Sequence, residues 1–311
     1  MENHSEKPCI LVICGPTGIG KTGAAIDTAR TFGGEIVSAD SMQIYRYMDI
    51  GTAKPTAEEK AAAVHHLVDI VNPDEDFDAA QYAEEARKVI AQLHQQGIVP
   101  VVAGGTGLYI KALLKGIFQA PAAAPELRAR LRAEAQLHGT AYLHERLLCC
   151  DPESGKRIHP NDTFRIVRAL EVFETTGQSI SEYHRSHSFS ENPFHVYKIG
   201  LHTDRETLYK RIDMRVDAMM EAGLEHEVRN LLQKGYSPGL KSMQAIGYRH
   251  MTDYIQGRIS FADAVNTLKQ DTRRYAKRQF TWFRADPEIV WTEVKKIENL
   301  YPDIKKFLQN R

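Results

Sequence analysis

The chain reads as an α/β protein: a P-loop NTPase-like parallel sheet flanked by helices, with a helical insertion. Three observations point there. Short apolar runs at 8–14, 35–39 and 99–103 alternate with helical stretches, which is the order of βαβ units. The first run leads into a glycine-rich loop and then an amphipathic helix. Residues 125–185 are helical in pattern throughout, and an apolar strand pattern returns only at 196–201.

PCILVIC (8–14) has the continuous apolar composition of a strand buried on both faces. Gly15-x-x-x-x-Gly20-Lys21-Thr22 follows it, at the spacing of a phosphate-binding loop. Gly15, Gly18 and Gly20 let backbone N–H groups around Thr17 curl about an anion, and the helix that follows turns its positive end to the same spot. Lys21 is placed to reach terminal phosphates. Thr22 is placed to help hold Mg²⁺, the one cofactor expected. The loop does not say which bond breaks. Most proteins that carry it handle ATP or GTP.

EIVSA (35–39) reads as the second strand, ending at Ser38-Ala39-Asp40-Ser41. Ligands on such sheets sit at the carboxyl ends of the strands. Asp40 therefore has three open roles: metal binding through water, proton acceptance, or a plain turn or N-cap. The helix at 78–97 has Asp78 as its N-cap and Gly97 as its C-cap. VPVVA (99–103) ends in Gly104-Gly105-Thr106-Gly107. Nucleotide hydrolases commonly hold Mg²⁺ with an aspartate on a strand here. Glycines and a threonine in that place argue against ordinary ATP hydrolysis. Thr106 offers a hydroxyl and an N–H, and a plain turn is the alternative.

QAPAAAPE (119–126) marks a linker, and HSFSENPF (187–194) a second loop. The core is therefore expected at 1–119 and 196–311, with the insertion at 120–195. From about Asp204 the tail reads as helical, with one late strand at Glu288–Trp291. Arg211 and Arg215 lie four apart on one helix face, where one of them could clamp a phosphate. In KQDTRRYAKRQFTWFR (269–284), Arg273, Arg274, Lys277, Arg278 and Arg284 share one side. Tyr275, Ala276, Phe280, Trp282 and Phe283 share the other and read as core. The basic side is a candidate nucleic-acid face or a solvated helix face. Arg165 and Arg168 are a second pair on one helix.

The 311 residues are 42% hydrophobic and 26% charged, ordinary for a globular protein. No apolar run approaches the roughly 20 residues of a membrane helix, and MENHSEKP lacks a signal-peptide core. A cytoplasmic protein is expected. Cys9, Cys14, Cys149 and Cys150 form no C-x-x-C pair, which argues against zinc. Forty basic and forty acidic residues cancel, so nucleic-acid binding would need local patches.

Taken together, GPTGIGKT (15–22), SADSMQIYRYMDIGTAKP (38–55), HHLVDI (65–70), VVAGGTGLYIKALLKG (101–116), IHPNDTFRIVRALEVFETTG (158–177), the arginine helix at 211–220, QAIGYR (244–249) and RRYAKRQFTWFR (273–284) resemble the tRNA dimethylallyltransferase family, bacterial type. The segments are collinear and span nearly the whole chain. The resemblance implies transfer of a dimethylallyl group from dimethylallyl diphosphate to N6 of adenosine 37, in tRNAs reading codons that begin with U. It implies that the glycine loop holds the donor's diphosphate, and that the helical insertion grips the anticodon stem-loop. By resemblance, Asp40 matches the family's general base, and Thr106 a threonine at the reaction centre. Arg215 matches an arginine on the diphosphate, and Thr22 the hydroxyl near metal and diphosphate. Asp40, Ser41, Met42 and Gln43 match a tRNA-contacting stretch, as does the segment from Phe164 through Arg165 to Arg168, with Arg128 a further match. No protein partner is implied, and a monomer is expected. The rival readings are a small-metabolite or nucleoside kinase, an adenylate isopentenyltransferase acting on free nucleotides, and a non-catalytic tRNA-binding protein.

Overall fold

Every residue of β1 (Cys9–Cys14) is buried, as its unbroken apolar run requires. In the computed structural model, which describes residues 7–116, 125–187 and 192–309, β1 lies between β4 (Val99–Gly104) and β5 (His195–His202). The other three strands are β2 (Gly34–Ser38), β3 (His65–His66) and β6 (Val290–Glu293). All six run parallel in the order β3-β2-β4-β1-β5-β6.

Alternation along β1 sorts the core. Leu11 and Ile13 pack with Val99, Val101, Ile199 and Leu201 in one cluster. That cluster is closed by residues of α1 (Lys21–Phe32), of α10 (Arg205–Glu221) and of α14 (Tyr301–Gln309), and by a 3-10 turn at Val294–Leu300. Ile10 and Val12 point the other way and are equally buried. On a parallel sheet this is the mark of two covered faces.

The remaining helices of this unit are α2 (Ala57–Ala62), α3 (Ala79–Gln95), α4 (Gly107–Lys115), α11 (Leu224–Gln233), α12 (Tyr248–Ile255) and α13 (Phe261–Arg284). Asp78 caps α3, accepting from Ala80 and Gln81, while the Gln81 side chain returns the bond. Gly97 stands one residue past the C-cap, Gln96, with φ 73°.

The chain divides into two compact units, Met1–Leu114 with Asn192–Arg311, and Lys115–Glu191. The second unit is all helix where described: α5 (Pro125–His138), α6 (Thr140–Cys150), α7 (Pro152–Arg157), α8 (Thr163–Thr176) and α9 (Ile180–His187). Leu131, Leu143, Leu147, Ile166, Val167 and Leu170 form its core. The division begins and ends a few residues earlier than the composition break suggests. Residues 119–124 of the expected linker and 188–191 of the second loop lie outside the described residues.

The late strand is a correction. It runs Val290–Glu293, paired with Ile199–His202, and not from Glu288. Asp286 and Glu288 instead form a turn, whose carboxylates take the buried Lys198 ammonium at 2.8 and 2.6 Å. Among the described residues no helix is long and apolar enough to cross a membrane.

Candidate active site

The tip of β1 turns into the loop at Gly15, whose φ of 151° and closeness to the Leu201 carbonyl leave no room for a side chain. Gly18 and Gly20 also take positive φ. Gly20 caps α1 with no side-chain bond to the first turn, so the helix opens with its N–H groups unclaimed by a cap, as an anion site needs. Lys21 and Thr22, both half-buried, begin that helix. The Lys21 ammonium donates to the Pro16 carbonyl at 2.9 Å. Burial, and secondarily the nearby Arg215, pull its pKa down to about 8, against the opposing influence of Asp40. Arg215, on α10, is likewise lowered by burial and supported by Asp40. Arg211, one turn earlier, donates to the Ile19 carbonyl of the loop at 3.3 Å. These two helical arginines thus part company: Arg211 braces the loop, and Arg215 carries charge beside Lys21.

Asp40 follows β2 and is half-buried. Its Oδ1 accepts the Met42 N–H at 2.9 Å, an Asx turn that fixes the carboxylate. The tips of β2 and β4 lie back to back, since a Cβ on Gly104 would come within 2.1 Å of the Ala39 carbonyl oxygen. Thr106 joins them. Its N–H donates to the Ala39 carbonyl at 3.2 Å, its hydroxyl oxygen accepts the Ser41 N–H at 3.0 Å, and it donates to Ser41 Oγ at 3.3 Å. Gln43 is turned into its own loop, donating to the Thr52 and Ala53 carbonyls.

Two anchors hold the long segment after Asp40. Buried Lys54 donates to the Tyr45 carbonyl, Asp49 and Asp69. Glu227 of α11 accepts the N–H groups of Asp49, Ile50 and Gly51 and the hydroxyl of Tyr248. Gly51 is glycine because the Tyr248 ring lies where a Cβ would be, at 2.5 Å. QAIGYR thus supports the Asp40 segment through this tyrosine.

The basic helix needs correction. Arg273 is not presented to solvent as part of one charged face: both Asp213 oxygens take its guanidinium at 2.8 Å. Arg274 pairs with Asp271 at 3.1 Å. Lys277 and Arg278 are exposed, and Arg278 lies over the Tyr275 ring. Of the side expected as core, Ala276 and Phe283 are buried, while Tyr275 and Phe280 are only half-buried. Trp282 is 44% exposed, lying against Gly107. The buried stripe of α13 is Ala276, Gln279 and Phe283, at i, i+3 and i+7. Tyr275 is half-buried and lies within electrostatic reach of Asp40. Burial first, then the Asp40 charge, push its hydroxyl up to about 12, while contacts to Thr106 and Gln279 oppose the rise.

Sequence reasoning missed Gln279 and misplaced Tyr275. The signal for Gln279 was present, since a carboxamide in an apolar stripe is costly unless paired.

In the helical unit Phe164 is 76% exposed. Arg165 pairs with Asp162 at 3.0 Å, and Arg168 with Glu171 at 3.3 Å. Arg128 grips the same Glu171 with Nε and Nη2. Arg128 and Arg168 are therefore engaged within their own unit. No group of three or more His, Cys, Asp or Glu suited to a metal occurs among the described residues.

A parallel sheet whose central strand runs through a glycine loop into a lysine-bearing helix is the arrangement of the P-loop NTPase-like fold. Residues 43–286 match the model of the IPP transferase family. The chain belongs to that family. It is 56% identical to the tRNA dimethylallyltransferase of Desulfosudis oleivorans over 97% of both chains, and 52% identical to that of Desulfatibacillum aliphaticivorans over 98% of this chain and 99% of the other. Among solved structures, the tRNA isopentenylpyrophosphate transferase of Bacillus halodurans is 39% identical, with 98% of each chain covered and a TM-score of 0.73. A eukaryotic dimethylallyltransferase described as acting on tRNA is 27% identical, with a TM-score of 0.81 over 98% of this chain and 80% of its own.

Proposed function

We propose that this chain transfers the dimethylallyl group of dimethylallyl diphosphate to N6 of adenosine 37, in tRNAs reading codons that begin with U, and releases diphosphate. One observation carries the reading: the phosphate loop shares the carboxyl end of the sheet with Asp40 and Thr106, and β4 ends in glycines where a nucleotide hydrolase keeps a metal-holding acid. In this reading phosphate is what departs, not what is delivered.

The adenine N6 lone pair is delocalised into the ring, so the leaving group must do much of the work. As the allylic C–O bond breaks, its electron pair goes to the diphosphate. Loop N–H groups of Gly18 and Gly20, together with Lys21 and Arg215, stand where that charge grows; the Thr17 N–H is already given to Gln279. Preorganised donors of this kind are worth roughly 3–4 kcal/mol each. The C–N6 bond forms, N6 becomes acidic, and Asp40 takes its proton. An ordinary carboxylate suffices, because acceptance comes late. Thr106 holds the Ser41 backbone and so the turn that aims Asp40.

Thr22 supplies a hard oxygen donor, which suits Mg²⁺ held mainly by diphosphate oxygens and water. Bound there, Mg²⁺ would neutralise leaving-group charge. The helical unit is assigned to the anticodon stem-loop, with exposed Phe164 and Arg165 its most accessible candidates; in the sheet unit, Lys277 and Arg278 of α13 are separate candidates for RNA phosphate. Flipping the adenine costs a few kcal/mol, less in a loop than in a duplex.

The test is incubation with unmodified tRNA, dimethylallyl diphosphate and Mg²⁺, followed by mass spectrometry of the nucleosides. Prenylated adenosine from tRNA is the expected product. Parallel tubes replace tRNA with AMP, or the donor with ATP. Prenylated AMP alone would make it a free-nucleotide enzyme, and phosphoryl transfer alone a kinase.

A further inference from the structure

Gln279 is only 6% exposed, and both ends of its amide are engaged. Oε1 accepts the Thr17 N–H at 2.8 Å, and Nε2 donates to the Gly105 carbonyl at 2.8 Å. One partner belongs to the phosphate loop. The other precedes Thr106. Gly105 has no side chain because a Cβ there would meet Nε2 at 2.3 Å.

The bonds continue beyond Gly105. Thr106 donates to Ala39 and accepts from Ser41, and Asp40 lies between those two residues. A single buried carboxamide thus completes a hydrogen-bonded path from the phosphate loop to the carboxylate. Lys21 and Arg215 lie off this path. A buried amide that served only to fill α13 packing would be replaceable by an apolar residue of the same shape. This one joins two loops that each carry site residues.

We propose that Gln279 is a positioning residue, which sets the separation between the diphosphate loop and the Asp40–Thr106 side of the site. The proposal rests on the reading given under Proposed function. In that reaction the breaking C–O bond is held by the loop, and the proton leaves toward Asp40. The spacing between them decides how often donor carbon and N6 meet in line. Misplacement by about 1 Å costs on the order of a hundredfold in rate. Diphosphate binding in the ground state, by Lys21, Arg215 and the start of α1, is left largely intact.

Three proteins test this: wild type, Gln279→Ala and Gln279→Glu. The measurements are kcat for prenyl transfer to an unmodified tRNA transcript, Kd for dimethylallyl diphosphate, thermal midpoint, and amide exchange of the peptide spanning 14–19. Gln279→Ala should lose about a hundredfold in kcat, change Kd by less than about threefold, and exchange faster at 14–19. Gln279→Glu keeps the acceptor for Thr17 and, when ionised, loses the donor to Gly105. Its kcat relative to wild type at the same pH should recover as pH falls from about 8 to about 5, because burial lifts a carboxyl above its ordinary value of about 4.3 and the protonated acid restores that donor. This recovery keeps the idea falsifiable should the alanine variant fold poorly, since mere packing would not follow proton occupancy.

Variants with kcat within about threefold of wild type would overturn the proposal, as would a loss confined to Kd. A wild-type protein that transfers no allyl group would instead overturn the functional reading, and the proposal with it.

Discussion

The helical unit and the phosphate loop treat their buried or half-buried charges in opposite ways, while elsewhere in the sheet unit Lys54, Lys198 and Arg273 are ion-paired. Among the described residues of the helical unit, each such charge has a partner. Glu171, with its side chain 1% exposed, takes Arg128 and Arg168, while Glu134 and Glu174 take Arg130 and Arg146. At the phosphate loop Lys21 hydrogen-bonds a backbone carbonyl, and burial outweighs the Asp40 charge for the cations of both Lys21 and Arg215. Desolvated cations are expensive unless paired. Charge in the helical unit holds helices together; under the proposed function, the diphosphate is the partner that the two loop cations lack.

The comparison breaks first, and furthest, at Asp40. Asp40→Asn keeps an oxygen for the Met42 N–H, so the turn should survive. The proton acceptor is lost, and kcat should fall by about 10²–10⁴-fold, or roughly 3–5 kcal/mol of transition-state stabilisation. Kd for dimethylallyl diphosphate should hardly move. Single-turnover rates on tRNA decide it, and a rate equal to wild type would strip Asp40 of its role.

The helical unit answers with stability instead. Glu171→Ala removes one buried carboxylate from two guanidinium groups. Arg128 is 45% exposed on its side chain, so water takes over part of the lost interaction. A cost of about 1–2 kcal/mol is expected, read from the urea midpoint, with dimethylallyl diphosphate binding unchanged. An unmoved midpoint would mean the pairing is decorative.

The phosphate loop was legible because glycines at fixed spacing have few other uses, and the β1 core because a six-residue apolar run has one reading beside such a loop. The extent of α3 was marked by Asp78 and Gly97, whose local chemistry does not depend on the rest of the fold. What stayed hidden was long-range pairing. That Arg273 faces Asp213, sixty residues away in sequence, follows from how α10 and α13 pack and from nothing in either segment alone. The same holds for Gln279, whose partners are 262 and 174 residues distant. Helical-wheel reasoning put the aromatics of 273–284 inside as a group, but it ignored that Gly107 has no side chain and offers Trp282 a surface seat. The late strand slipped by two residues because Asp286 and Glu288 answer to Lys198 before they answer to strand pairing.

Lys21 sharpens the contrast by pH. Its pKa lies near 8 because burial disfavours the ammonium, and a bound diphosphate favours it. Below about pH 8 the charge is present before binding, so affinity is flat. Above it, binding must take up a proton, and affinity should fall by about fivefold between pH 8 and pH 9. Lys21→Met should bind weakly with no such slope. Calorimetry in two buffers of different ionisation enthalpy reads the proton directly. No uptake by wild type at pH 9 would mean that Lys21 stays charged throughout and that its burial carries no penalty.

The smallest effect separates two arginines three residues apart on α8. Arg165 is 68% exposed on its side chain and tied only to Asp162 in an i,i+3 pair, so Arg165→Ala should shift stability by less than about 1 kcal/mol. If it meets tRNA phosphate, the slope of log affinity against log salt should drop by about 0.7–0.9. Arg168 is held by Glu171, and Arg168→Ala should lower the thermal midpoint more and the salt slope less. Salt-dependent binding of one tRNA to both variants, beside their melting curves, makes the distinction. Were Arg168 to carry the larger slope, Glu171 would have to release it on contact with RNA, and the helical unit's charges would be as available as those of the phosphate loop.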